Sequence, residues 1–447
     1  MERKKYESFF RGKKITVMGL GVLGRGLQVT KFLAECGASV TVTDLKNREA
    51  LWSSIKALKK YKIRFVLGRH DFKDFEKVDL IIKAAGVPLD SLYIKHAHTK
   101  GVPIAMDASL FAKLVENIKP KVTVIGITGT RGKSMTTAVI YHILKANKKA
   151  LGGDVYLGGN MREKATLPLI KKVNPKDFVV LELDSWQLQG FGDEKISPHI
   201  SVFTNLMSDH MNYYKGNPKK YLSDKENIYK FQTSKDFLIT NKNLLKTLTT
   251  KPKGKVLLPS TSKVASVSMN ILGNHNIQNA SYAYETARIL GLKNEEICRA
   301  LETFPGLEGR LEYLGKKSGV EIINDNNATT PEATIAGIEA VYGKHKNIIL
   351  ICGGSDKELD LSRLVQTIKK FCHKTILLKG TGTEHLKNKL NSNFKEVASL
   401  KDALKEAFKV SEKNDVILFS PGFASFGMFK NEYERNDQFL KLISARK

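Results

Sequence analysis

Short apolar runs alternate with stretches of helical period along the whole chain. The first run, Lys14-Ile15-Thr16-Val17-Met18, leads into Gly19-Leu20-Gly21-Val22-Leu23-Gly24. An apolar-periodic stretch follows to about Cys36, then a second apolar run over 39–43 that ends at Asp44. Strand, glycine turn, helix and strand make a βαβ unit. Strand-like runs at 64–67 and 80–83 come next, each closed by polar residues or by glycine and proline. A second series opens with a strand at 122–127, turns, and enters a helix from Met135; further strands are predicted at 178–183, 200–205 and 237–240. A third series places strands at 320–324, 347–352, 375–379 and 416–420 between helical stretches. Such alternation predicts parallel, doubly wound sheets and hence an α/β fold. Boundaries near 116–121 and 304–310 divide the chain into three domains, 1–118, 119–306 and 307–447.

The 447 residues suffice for three such domains, and 42% hydrophobic with 26% charged residues is ordinary globular composition. No apolar run reaches the ~18 residues of a membrane span, so none is expected. The charged N-terminus lacks the apolar core of a signal peptide. The four cysteines (Cys36, Cys298, Cys352, Cys372) have no paired spacing and read as reduced thiols of a cytoplasmic protein. Charge changes the picture more. Lys+Arg total 73 against 45 Asp+Glu, a formal net charge of +28. That raises nucleic acid as a partner. Yet 59 of the basic residues are Lys and 14 are Arg, spread without a long block, whereas base-edge recognition favours Arg. A lysine-rich solvated surface is the simpler reading.

The chemistry concentrates in the second series. Its first strand runs into Thr128-Gly129-Thr130-Arg131-Gly132-Lys133-Ser134 and then a helix. Glycines let backbone N–H groups turn inward around phosphate oxygens, and a helix N-terminus adds partial positive charge. Lys133 is placed against the β- and γ-phosphates and the Ser134 hydroxyl on Mg²⁺. The loop is shortened: the residue five before Gly132 is Ile127, and Gly129 stands three before it. The first glycine turn is the weaker signal, since Gly-x-Gly-x-x-Gly is also a packing device; Asp44 beyond it could receive ribose or uracil groups or close a strand. Glu182, in Leu181-Glu182-Leu183-Asp184, and His210, in Ser208-Asp209-His210, follow strand ends, where ligands of such sheets bind. A carboxylate and an imidazole there can serve a second cation.

These motifs, followed in order by Lys225, Gly273-Asn274-His275-Asn276-Ile277-Gln278-Asn279-Ala280, Asn324-Asp325-Asn326-Asn327-Ala328-Thr329 and Ser420-Pro421-Gly422-Phe423-Ala424-Ser425-Phe426, resemble the Mur ligase family of ATP-dependent amide-bond ligases. The likeness covers the whole length and is strongest to the branch that adds D-glutamate. It implies a Rossmann-like first domain that binds the UDP substrate, a central P-loop ATPase-type parallel sheet and a C-terminal Rossmann-like α/β domain that binds the amino acid. It implies ATP with two Mg²⁺ sites, phosphorylation of a substrate carboxylate to an acyl phosphate, and attack by an amine. The implied substrates are UDP-N-acetylmuramoyl-L-alanine and D-glutamate, used in peptidoglycan precursor synthesis by a monomer that needs no nucleic acid.

By the same resemblance, Gly129, Thr130, Arg131, Gly132, Lys133 and Ser134 hold phosphates. Ser134, Glu182, His210 and Lys225 hold metal, with Lys225 carried as a carbamate. Asn276 and Asn279 lie on the adenine side, and Arg310 and Asp325 contact ATP phosphates and ribose when the last domain closes. Val22, Leu23, Asp44, Leu45, Lys46, Gly86, Asn160 and His210 match positions that meet the UDP substrate, and Thr329, Lys357, Ser425 and Phe426 match the D-glutamate pocket. Two departures stand out: Asn327 replaces a usual Lys, and Ala84-Ala85-Gly86 replaces the usual Ser-Pro-Gly, leaving backbone contacts there. Three alternatives remain. A related ligase could add L-glutamate or serve a folate. A nucleic-acid-dependent P-loop ATPase would use the +28 charge. A Rossmann oxidoreductase would leave Lys133, Glu182 and His210 unexplained.

Overall fold

The computed structural model describes residues 2–88, 90–161, 164–269, 272–343, 347–390 and 393–446, with side chains from residue 5 onward. Three sheets follow one another along the chain. The first contains β1 (Lys14–Met18), β2 (Ser39–Asp44), β3 (Ile63–Leu67), β4 (Leu80–Lys83) and β5 (Ile104–Ala105), all parallel, in the order β3-β2-β1-β4-β5. The second contains β6 (Thr123–Thr128), β7 (Val155–Gly159), β8 (Phe178–Glu182), β9 (Ile200–Phe203), β10 (Phe237–Thr240) and β11 (Lys255–Leu257). It too is parallel, ordered β11-β10-β9-β6-β8-β7. The third contains β12 (Glu312–Lys317), β13 (Val320–Asn324), β14 (Ile348–Cys352), β15 (Cys372–Leu378), β16 (Phe394–Val397) and β17 (Val416–Phe419), ordered β12-β13-β17-β14-β15-β16. Only the β12–β13 pairing is antiparallel there. The α/β reading of the sequence is therefore met in all three parts.

Strands covered on both faces read as continuous apolar runs. In β14, Ile348, Leu350 and Cys352 join one core layer, while Ile349 and Ile351 join the layer on the opposite face. All five are buried. The first two sheets share one core that runs from Ile15 and Val42 to Leu181 and Leu238. The helix Asp107–Ile118 joins them: the half-buried side chain of Asp107 accepts from the backbone N–H groups of Thr166 and Leu167, both at 2.7 Å. Two N–H donors on one carboxylate make this a strong, directional tie. The chain accordingly forms two compact units, Met1–Ser266 with Asn279–Ala300, and Val267–Gln278 with Leu301–Lys447. No helix among the described residues is long and apolar enough to cross a membrane.

Candidate active site

The phosphate loop joins β6 to the helix Lys133–Ala146, two residues earlier than the sequence pattern placed that helix. Register sets its surroundings. Ile127 pairs with Glu182 on one side, and Thr128 with Phe203 on the other. The loop thus sits at the C-terminal end of the central strand, between the ends of β8 and β9. Gly129 has φ +150° and Gly132 φ +80°. A Cβ at Gly129 would meet Thr204 Oγ1 at 1.9 Å, and one at Gly132 would meet Asn279 Oδ1 at 2.5 Å. Both positions therefore require glycine for conformation and for space.

The loop is held from the β9 side by residues the motif does not include. Thr130 N–H donates to the Asn205 carbonyl at 3.0 Å, and Arg131 N–H to Asn205 Oδ1 at 2.8 Å. Thr204 Oγ1 and Asn205 Nδ2 donate to the Arg131 carbonyl at 2.7 and 3.1 Å. Thr130 Oγ1 meets the Tyr221 hydroxyl at 3.1 Å. Sequence reasoning missed Thr204, Asn205 and Tyr221; for Asn205 the signal was its place at a strand end. Lys133 Nζ bends back over the loop and donates to the carbonyls of Gly129 and Thr130 at 3.0 and 3.1 Å.

Lys225 lies in the helix Pro218–Glu226 and is 1% exposed. Its Nζ donates to the Gly129 carbonyl at 2.8 Å and to Thr128 Oγ1 at 3.3 Å, and lies 4.9 Å from the centroid of the Tyr221 ring. Burial, aided by the charge of Lys133, pushes its pKa well below the ordinary lysine value. Glu182 is buried at the end of β8. His210 stands on an irregular segment after β9 with φ +54°, its ring 4.9 Å from Trp186 and its Nε2 3.7 Å from Asp209 Oδ2. Partial burial lowers the His210 pKa, and Lys133 and Lys225 push the same way, against Asp209. Asn279 is buried beside the loop, and its Oδ1 accepts from Thr136 Oγ1 at 3.3 Å. Among the described residues no three His, Cys, Asp or Glu side chains form a metal-binding group. Mg²⁺ is usually held by one or two carboxylates together with substrate phosphates, so Ser134 and Glu182 supply the kind of donors it takes.

The predicted UDP-side residues gather at strand ends of the first sheet. Val22 and Leu23 lie in the turn after β1, Leu45 and Lys46 follow Asp44 at the end of β2, and Gly86 follows β4. Val22 and Leu45 are exposed. Asp44 does serve the turn: its carboxylate accepts from the N–H groups of Gly21 and Lys46, both at 2.9 Å. Asn160 follows β7. Its N–H donates to the Glu182 carbonyl at 2.7 Å, and its Oδ1 accepts from Arg25 Nη1 at 3.1 Å. Arg25 is a further residue the sequence reading passed over.

The second unit brings together the residues matched to the amino-acid pocket. Thr329, Lys357, Ser425 and Phe426 follow β13, β14 and β17, neighbouring strands of the sheet. Lys357 Nζ donates to Thr329 Oγ1 at 3.2 Å. Two backbone bonds between Ser355 and Ala424, at 2.9 and 3.2 Å, tie the loops that carry Lys357 and Ser425. Asp325 is buried at the end of β13 and accepts from Ser420 Oγ at 2.8 Å and from Leu311 N–H at 3.2 Å. Burial pushes its pKa up to about 7, with Arg310 pulling it back. Asn327, where the resemblance has lysine, donates to the Glu308 carbonyl at 3.2 Å. Asn276 also falls in this unit, and its Nδ2 donates to the Leu272 carbonyl at 2.7 Å.

Three family models match the chain: the Mur ligase MurD-like N-terminal domain over residues 13–106, the Mur ligase middle domain over 127–256, and the Mur ligase glutamate ligase domain over 309–423. A UDP-N-acetylmuramoylalanine--D-glutamate ligase of Roseiflexus sp. (strain RS-1) is 32% identical over 97% of this chain and 99% of its own. One of the same name from Borreliella burgdorferi (strain ZS7) is 34% identical over 96% of this chain and 97% of its own. The structure of a UDP-N-acetylmuramate-alanine ligase from Thermotoga maritima shares the fold, with a TM-score of 0.60 at 21% identity, covering 97% of this chain and 100% of that one. With matches in every part and relatives aligned from end to end, the chain belongs to the Mur ligase family.

Proposed function

We propose that this protein joins D-glutamate to UDP-N-acetylmuramoyl-L-alanine at the expense of ATP, as a cytoplasmic, monomeric step of peptidoglycan precursor synthesis. Mur ligases are ATP-dependent, and the relatives that align with the whole chain carry the name of this reaction. One observation carries the reading at the level of chemistry: two glycines that no other residue could replace form a cradle on which Lys133 and Lys225 converge. In the division of labour we infer, residues 1–118 hold the UDP group, 119–306 hold ATP and 307–447 bring the amino acid.

The demands of the reaction match the residues. A free carboxylate has no leaving group, so ATP supplies a phosphoryl group that makes one. Negative charge then accumulates between phosphate and carboxylate. The N-terminus of the helix Lys133–Ala146 and the Lys133 ammonium are assigned to offset it. Ser134, Glu182 and His210 are assigned to Mg²⁺; Asn276 and Asn279 to the adenine; Arg310 and Asp325 to ATP. Mg²⁺ adds positive charge at the transferring phosphate when bound. The incoming amine must lose a proton before it attacks, and the His210 imidazole is kept largely neutral by its surroundings, so it can accept one. Thr329, Lys357, Ser425 and Phe426 are assigned to D-glutamate, with the Lys357 ammonium pairing a carboxylate. Val22, Leu23, Asp44, Leu45, Lys46, Gly86 and Asn160 are assigned to the UDP substrate.

Lys225 is assigned a carbamate. Its pKa is depressed by burial, which favours the neutral amine that reacts with CO₂. The neutral amine adds to CO₂: one N–C bond forms, one C=O π pair moves onto oxygen, one proton leaves to solvent, and a neutral group becomes an anion. The variant Lys225→Ala is expected to lose most activity and to regain part of it with a small added carboxylic acid; wild-type rates in that variant would sink the assignment. The function itself is tested by mass spectrometry of the product formed from ATP, UDP-N-acetylmuramoyl-L-alanine and each enantiomer of glutamate. A ligated product with D-glutamate alone is expected; a product with L-glutamate alone overturns the reading.

A further inference from the structure

Lys83 is the last residue of β4 and is 1% exposed. It pairs with Met18 of β1. It therefore borders the crevice between β1 and β4, where the strand order reverses and ligands of open α/β sheets bind. Its Nζ donates to the Val87 carbonyl at 2.8 Å. Val87 closes a tight turn: its N–H donates to the Ala84 carbonyl at 3.0 Å, while Ala84 N–H donates to the Met18 carbonyl at 2.9 Å. The turn packs on the first glycine turn, since a Cβ added at Gly19 would lie 2.9 Å from Ala84 Cβ and 3.9 Å from Val87 Cγ2. Whatever fixes Val87 therefore also fixes the bed of the glycine turn.

The turn sequence, Ala84-Ala85-Gly86-Val87, supplies little stiffness of its own. Its second position carries Ala85, where proline would preset φ. A buried ammonium is a costly way to replace that stiffness. Burial pulls the Lys83 pKa to about 8, while Asp193, Asp184 and Asp224 of the adjoining layer favour the charged form. A leucine or methionine would fill the same space without that cost, so packing alone does not account for the lysine.

We infer that Lys83 is a positioning residue for the nucleoside-diphosphate-linked substrate, clamping the 84–87 turn onto the glycine turn so that the backbone around Gly86 is held ready to receive it. The inference rests on the proposed function, and the experiment separates the two. Steady-state kinetics would be measured on wild type, Lys83→Met, and Lys83→Met combined with Ala85→Pro. Lys83→Met is expected to raise KM for UDP-N-acetylmuramoyl-L-alanine about tenfold, as for a lost hydrogen bond to a charged group, with kcat and the KM values for ATP and D-glutamate within about threefold. The added proline is expected to recover most of the lost affinity. If Lys83→Met does not fold, Lys83→Gln, which keeps a donor, is expected to show the same KM signature at smaller size. Turnover by the wild type with an unchanged KM in the variant, or a KM that the proline leaves raised, overturns the inference alone. Absence of turnover in the wild type overturns the proposed function and this inference with it.

Discussion

Lys133 and Lys225 share one acceptor: the Gly129 carbonyl takes a hydrogen bond from each, at 3.0 and 2.8 Å. Two lysines aimed at one backbone oxygen repel each other, and the buried one yields. Its depressed pKa means the unfolded chain binds more protons than the folded one at any pH between the two values. Wild-type stability should therefore rise with pH toward the ordinary lysine value. Lys225→Met should lack this slope and be the more stable protein near pH 7 in bicarbonate-free buffer, while being inactive. Urea midpoints at pH about 7 and about 9.5 check the sign; equal slopes for the two proteins would show that Lys225 does not titrate in a buried state.

Gly129→Ala forces a methyl group to within 1.9 Å of Thr204 Oγ1 at φ +150°. The loop must move, at about 1–3 kcal/mol of stability, and the Gly129 carbonyl that holds Lys133 and Lys225 moves with it. ATP affinity measured by titration calorimetry should fall at least about tenfold, or about 1.4 kcal/mol. Unchanged affinity would show that the loop is not the phosphate site.

Lys357 and Thr329 meet at 3.2 Å in the second unit. Lys357→Ala should raise KM for D-glutamate by about tenfold or more and leave KM for ATP nearly unchanged, as expected for one lost charge-assisted bond. The same rise in both constants would place Lys357 elsewhere in the mechanism.

Asp325 titrates at about 7 in the folded protein against an ordinary 3.8. The folded state holds its proton more tightly, so this group's contribution to stability is full below about pH 4 and is lost as pH rises through about 7. Asp325→Asn should remove that decline. Denaturant midpoints of wild type and variant at pH about 5 and about 8 test it; parallel shifts in both would contradict a raised pKa.

What the sequence revealed was local. The phosphate loop was legible because glycine, lysine and serine recur in one short segment between a strand and a helix. The buried strands were legible because both faces are apolar, as in β14. Edge strands other than β3 were not. β7 ends in two glycines, β12 carries Gly315 and a register shift, and β16 sets two adjacent charges between its apolar ends. Gly159 is explained only by the fold, since a Cβ there would lie 2.1 Å from the Glu182 carbonyl. The residues that brace the loop are distant in sequence: Asn205 reaches it through the β6–β9 pairing, and Tyr221 from the helix Pro218–Glu226. Lys83 was hidden among 59 lysines; the fold sets it apart as one of the few that are buried, with Lys119 and Lys225.

The central claim is ATP-driven ligation of D-glutamate, and phosphate release tests it most directly. Purified protein with ATP, Mg²⁺, UDP-N-acetylmuramoyl-L-alanine and D-glutamate should release phosphate steadily. Omission of the UDP substrate or of D-glutamate should each reduce release to background, and L-glutamate should not replace D-glutamate. No release from protein that binds ATP, or release independent of both other substrates, would contradict the account.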